Sequence, residues 1–167
     1  MRLNIKWSKH KKLLESRICE KLKKRIKIHL THYRAIHEPE SRFWITFDGK
    51  EIFHISKMKW LNEWSAIIDD YRKSQGTENE YDYAEKVMHS NGKYYVDDIQ
   101  DSLEKYLNLS IEEALITSDF IIKSFAMIDK RLGKRRLVSM ALSENDHLLV
   151  KKLYEIRCDI EGIDKNY

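Results

Sequence analysis

The residues of this chain best suited to chemistry are cations, and they are concentrated at one end. Residues 1–36 hold twelve Lys or Arg against two acids, Glu15 and Glu20, a net charge of +10. The remaining residues hold nineteen bases against twenty-five acids, so the overall +4 conceals a dipolar chain with a basic front end. Such asymmetry speaks to partners rather than to fold, because a positive field gathers and steers anionic groups. Lys9, Lys12, Lys23, Lys24 and Lys27 form the dense part of the field, with Trp7, His10, His29 and Tyr33 among them. Ammonium groups suit phosphate or carboxylate, and flat side chains suit stacking on bases. The expected partner is an acidic protein or a nucleic acid. The plain alternative is a solvated lysine face that keeps the chain soluble.

A second run, Lys130-Arg131-Leu132-Gly133-Lys134-Arg135-Arg136, is expected to bracket a helix C-terminus, where positive charge complements the macrodipole. Arg131, Lys134, Arg135 and Arg136 would alternatively clamp a phosphate or carboxylate, since guanidinium offers bidentate geometry. Asp129, just upstream, offers one of these arginines an internal partner.

Other chemistries find less support. His29, His32 and His37 have metal-like spacing, but strand residues three apart point to opposite faces, so His29 and His32 cannot converge. Asp48 and Glu51 could join Glu15 in a metal-dependent nuclease, but a tight turn accounts for Asp48, and no Glu-x-Lys element stands beside them. There is no Gly-rich phosphate loop, G-x-S-x-G or H-E-x-x-H. The expectation is therefore a non-enzymatic binding protein with no metal and no cofactor. A nucleic-acid-binding protein is second. An enzyme acting on a phosphorylated or nucleic-acid substrate, with Arg131, Arg135 and Arg136 as anion binders, is third.

These residues need a scaffold, and its elements are legible. Ser8 can cap a helix to about Leu22, with Leu13, Leu14, Ile18 and Leu22 on one face. Arg25 to Tyr33 alternates as a strand, with Ile26, Ile28 and Leu30 on one side and Lys27, His29 and Thr31 on the other. A turn around Pro39 precedes a hairpin in which Asp48-Gly49 joins 42–47 to 51–55 through a type I′ turn. A regular two-residue loop would set Ile45 against Ile52 and Trp44 against Phe53. From residue 57 the period becomes helical, through Leu61, Trp64, Ile68 and Tyr71. Residues 73–80 read as a polar linker ending in a Thr77/Glu80 capping box, with Ser90-Asn91-Gly92 closing the next helix. A helix follows from near Asp97, then one opened by a Ser110/Glu113 box. Another, capped by Ser118, is expected to reach Leu132 and stop at a left-handed Gly133. The last spans about Glu144 to Ile160. Trp60, Trp64, Tyr71, Tyr81, Tyr83, Tyr94 and Tyr95 read as packing residues, with Tyr94-Tyr95 the expected exposed pair.

The order is α-β-β-β followed by helices, which is α+β: an N-terminal helix and three-stranded antiparallel meander, then a mainly helical C-terminal half. At 167 residues and 42% apolar, the chain suits one domain over 1–167, its halves 1–72 and 81–167 sharing a core across the 73–80 linker. Cys19 and Cys158 are too few for a disulfide framework, which suits a reducing compartment. No apolar leader is read at the N-terminus. The most apolar stretch, Phe120 to Ile128, contains Lys123 and falls short of the roughly 20 residues that span a bilayer. No membrane span is expected, and the expected location is cytoplasmic.

Three stretches carry a family resemblance. They are Trp7-Ser8-Lys9 leading to Leu13-Leu14-Glu15-Ser16, the hairpin Arg42-Phe43-Trp44-Ile45-Thr46 with Asp48-Gly49-Lys50-Glu51-Ile52-Phe53, and Asp129 to Leu137. Together they resemble a family of small, uncharacterised bacterial proteins of unknown function. The resemblance implies a bacterial cytoplasmic origin and transfers no catalytic role.

Overall fold

The computed structural model describes residues 7–33 and 40–164. Helix α1 (Trp7–Arg17) leads into β1 (Ile26–Tyr33), β2 (Glu40–Phe47) and β3 (Lys50–Ser56). Then come α2 (Lys57–Lys73), α3 (Glu80–Ser90), α4 (Val96–Asn108), α5 (Ile111–Ile116), α6 (Phe120–Ile128), α7 (Lys134–Ser139) and α8 (Leu148–Glu161). The strands form one antiparallel sheet in the order β1-β2-β3. The fold is the α+β arrangement expected from the sequence. The turn around Pro39 lies outside the described residues, as do Arg2, Lys6, Arg34 and His37.

Asp48 and Gly49 have φ of 48° and 79°, the two left-handed positions that a type I′ turn demands. The register beyond the turn differs from the regular one. Ile45 faces Phe53 and Trp44 faces His54, because the ladder shifts between Ile45 and Thr46 and leaves Ile52 as an extra residue. The reason is burial. A one-residue slip turns every later side chain to the opposite face of a strand. Without the bulge Phe53 and Ile55 would point outward; with it they join Phe43 and Ile45 on the core side.

Several helix ends also depart from expectation, two of them because a longer-range contact wins. Helix α1 stops at Arg17, since Ile18 leaves to pair with Asp129 in an antiparallel bridge. There Cys19 N–H donates to Ile128 O at 2.9 Å and Lys130 N–H donates to Arg17 O at 2.7 Å. For the same reason α6 ends at Ile128 instead of Leu132. Its cap is Asp119, which accepts from the amides of Ile121 and Ile122, and not Ser118. Gly133 is extended, with φ −71°, and stands at the N-cap of α7. Lys134 and Arg135 therefore open a helix rather than close one, and only Arg136 falls in the last turn of the short α7. Helix α3 is capped by Asn79, not Thr77, and α8 begins at Leu148 behind a His147 cap, not at Glu144. The Ser110/Glu113 box caps α5 as expected.

One cluster of buried side chains runs from Leu14 to Ile163 and takes in the inner face of the sheet, α1, α4, α5, α6 and α8. Ile68, Ala84 and Met88 of the α2–α3 hairpin are buried outside it. That hairpin is held by rings: Trp60 stacks on Trp64 at 5.7 Å, Trp64 on Tyr81 at 5.5 Å, and Tyr71 on Tyr83 at 4.2 Å. Tyr94 and Tyr95 are not an exposed pair. Tyr94 packs on Phe120 and Tyr95 on Trp60, which holds the ring cluster against the core.

At the bridge between α1 and α6 sits Asp129, fully buried. Its carboxylate accepts from the Tyr106 hydroxyl at 2.5 Å, from the Arg131 amide at 2.8 Å, and from Arg131 Nη2 at 2.7 Å. Burial pushes this carboxyl up. The hydrogen bonds from Arg131 and Tyr106 together outweigh it and hold the group below its ordinary value. Burial, then the neighbouring Asp129 charge, drives the Tyr106 phenol the other way, so it stays a donor. Neutralising Asp129 weakens the charged hydrogen bonds from Arg131 and Tyr106 at a buried position, costing about 3 kcal/mol. Asp129→Asn is expected to lower Tm by about 6–12 °C. Because the folded carboxyl titrates below its ordinary value of 3.8, its stabilisation is complete above that pH and lost as pH falls through and below it. Acid titration of unfolding free energy should show a larger loss in the wild type than in Asp129→Asn, since Asp48, Glu80, Glu112, Glu113 and Glu161 are also held low and titrate in both.

Candidate functional site

The basic front end resolves into two populations of cations. The first is internally employed. Arg17 donates to the carbonyls of Tyr106 at 3.1 Å and Leu107 at 2.5 Å, at the C-terminal end of α4. Lys21 reaches Glu161 at 2.9 Å, and Lys23 pairs with Glu20 at 3.2 Å. Arg25 chelates Asp48, with Nε to Oδ1 at 2.8 Å, and lies 4.7 Å over the Phe47 ring. Lys11 faces Glu15 one turn along its helix at 3.9 Å. The second population, Lys9, Lys12, Lys24 and Lys27, is exposed and has no ion-pair partner among the described residues.

Local structure explains where these four lie. His10 and Leu14 are the buried face of α1, and at 100° per residue Lys9 and Lys12 fall on the face opposite. Lys24 sits in the turn entering β1. Lys27 is the first outward residue of that strand, since Ile26 and Ile28 point into the core. The next outward residue, His29, is pushed below its ordinary value first by burial, then by the positive charge of Lys11, which Glu15 opposes, and last by Lys27.

His29 also anchors a group that sequence reasoning did not assemble. The β1–β2 register sets it opposite Trp44, and their rings stack at 4.7 Å within 7° of parallel. Its Nε2 lies 3.1 Å from Thr46 Oγ1, and Arg42 sits 4.9 Å from the Trp44 ring centre. Alternation along each strand puts these residues on the outward side. Only the pairing of β1 with β2, joined through residues 34–39, brings the rings together.

The 130–136 run meets the first basic segment through the Ile18–Asp129 bridge, but most of it is engaged. Arg131 holds Asp129 and donates Nη1 to Leu109 O at 2.9 Å. Lys134 donates to Glu161 O at 2.9 Å, beside Lys21, and Arg136 pairs with Glu112 at 2.7 Å. Arg135 and Lys130 are exposed with no such partner among the described residues. The carboxylates weighed for a nuclease are likewise apart: Asp48 is with Arg25, Glu51 with Arg42 and His54, and Glu15 with Lys11. No group of three His, Cys, Asp or Glu suited to a metal ion occurs among the described residues.

A family model matches residues 6–158, which include all three of the stretches that carried the resemblance. The chain belongs to the SF0329 protein family. That description assigns no activity. No curated protein and no solved structure matches the chain. No helix among the described residues is long and apolar enough to cross a membrane.

The division between employed and free cations has a direct consequence for stability. Lys9→Ala, Lys12→Ala, Lys24→Ala and Lys27→Ala should each leave Tm within about 2 °C, because no internal contact is lost. Arg131→Ala removes the partner of a buried carboxylate and should lower Tm by about 6 °C or more. Thermal unfolding of the five variants checks both statements.

Proposed function

We propose that this chain is a non-enzymatic binding protein whose basic face, built from α1, the turn into β1 and β1 itself, docks an acidic protein. The observation that carries this reading is the selective freedom of Lys9, Lys12, Lys24 and Lys27 amid neighbours bound to internal carboxylates or carbonyls. Charges left in water are available to a partner, and steering by them weakens with salt over a Debye length of about 8 Å at physiological ionic strength. Catalysis by the 130–136 arginines gains no comparable support, since Arg131 and Arg136 already hold Asp129 and Glu112.

One observation favours nucleic acid as a second reading. The parallel Trp44 and His29 rings lie on the same outward face as Lys27, and flat side chains beside cations are what single strands use.

A fluorescence titration against a poly-glutamate peptide and a single-stranded oligonucleotide of matched charge separates the readings. The peptide should bind at low salt, weaken as salt rises, and lose at least about tenfold in affinity when Lys9, Lys12, Lys24 and Lys27 are all changed to Glu. Tighter binding of the oligonucleotide, reduced by Trp44→Ala, would establish the second reading instead. Binding of neither ligand, or binding indifferent to the four substitutions, would remove the basic-face proposal.

A further inference from the structure

Three loops converge on the side of the molecule where α8 begins. They are the α3–α4 loop around Gly92, the α5–α6 loop at Thr117 and Ser118, and the α7–α8 loop at 143–147, and they border a cleft of about 630 Å³. His147 joins them. Its Nδ1 accepts from the Leu149 amide at 3.1 Å and so caps α8. Its ring stacks on Phe120 at 3.8 Å and meets Phe53 edge-on at 6.2 Å. The Nε2 edge of the ring also lies against Gly92. Gly92 has φ of +66°, and a Cβ there would lie 2.7 Å from the imidazole Cδ2, so only glycine lets the ring approach.

We propose that His147 is an acid-released latch on the start of α8, which it caps only while its imidazole is neutral. A neutral ring keeps one nitrogen able to accept, which is what the Leu149 N–H requires of Nδ1. Protonation turns both nitrogens into donors. The cap acceptor is lost, and a positive charge is placed at the positive end of a helix.

The surroundings supply no strong counter-charge. Asp146, the adjacent carboxylate, is held by Lys123 at 2.5 Å and by the Ser143 amide at 2.8 Å. Lys151 and Lys152 of α8 also border the ring and oppose a further charge, although Lys151 is turned to Glu144 O at 2.6 Å. Glu144 and Glu155 are the remaining acids on the lining, and His89 across the cleft lies 4.0 Å from Asp98. Burial pushes the His147 imidazole below its ordinary value, partly countered by the nearby Gly92 backbone. The latch therefore holds fully above the ordinary histidine value of 6.5 and releases as pH falls from there through the lower folded value.

Amide hydrogen exchange and imidazole nitrogen NMR on the full chain test this from pH 7.5 to 5. At pH 7.5 the His147 ring should be the neutral tautomer with its proton on Nε2. Corrected for intrinsic exchange, protection of the Leu149 amide should fall about fivefold or more as the ring titrates, the effect of losing an N-cap. His147→Asn keeps an acceptor that does not titrate, and should remove the pH dependence. Three results would overturn the latch: a proton on Nδ1 at pH 7.5, Leu149 protection that stays flat while His147 titrates, or the same fall in His147→Asn. The nitrogen spectrum and the wild-type exchange decide the matter even where the variant folds poorly.

Discussion

A carboxylate sealed from water sits where the two basic segments of this chain meet. Asp129 must be charged to bind Arg131, and it stays charged only because Tyr106 and the Arg131 side chain and amide surround it with donors. Once formed, this arrangement dictates much of its neighbourhood. Helix α6 ends at Ile128 so that Asp129 can extend and bridge to Ile18, and α1 ends at Arg17 to accept the bridge. The result ties the amino-terminal helix to the middle of the helical half. Tyr106, held at the same point, fixes the end of α4.

Arginines around this point serve as helix terminators. Arg17 and Arg131 donate to the last carbonyls of α4, and Arg157, itself buried, donates to Ile128 O, Asp129 O and Leu132 O beyond α6. Lys21 and Lys134 do the same at the end of α8, where Glu161 lies between them. Unpaired carbonyls at a helix end are both hydrogen-bond acceptors and the negative pole of the dipole, so cations satisfy two needs there. This is why charge counted along the chain overstates charge available to a partner. The Lys and Arg side chains left without an ion-pair or carbonyl partner in the two basic segments, among the described residues, are those of Lys9, Lys12, Lys24 and Lys27 together with Lys130 and Arg135.

The sheet shows a second competition between local rule and burial. The Asp48-Gly49 turn takes the conformation its residues favour, yet the ladder three residues away slips to carry Phe53 and Ile55 inward. Phe53 then meets Phe43, Phe120 and His147, which links the hairpin to α6 and to the start of α8. A bulge in a hairpin thus helps position a histidine nearly a hundred residues later.

Hydrophobic period, turn chemistry and local capping are properties of neighbouring residues, and the sequence by itself determined what rests on them. The α+β order, the alternation that buries Ile26 and Ile28, the type I′ turn, the Ser110/Glu113 box and the break at Gly92 all follow from residues within a few positions of one another. So did the concentration of cations at one end, and the offer Asp129 makes to an arginine. Tertiary structure alone decided which cations are spent at helix ends, where α1 and α6 stop, which residue bulges in β3, and that His29 lies beneath Trp44. Each of these depends on groups distant in sequence competing for the same carbonyl, carboxylate or core position, and a competition between remote partners leaves no periodic mark along the chain.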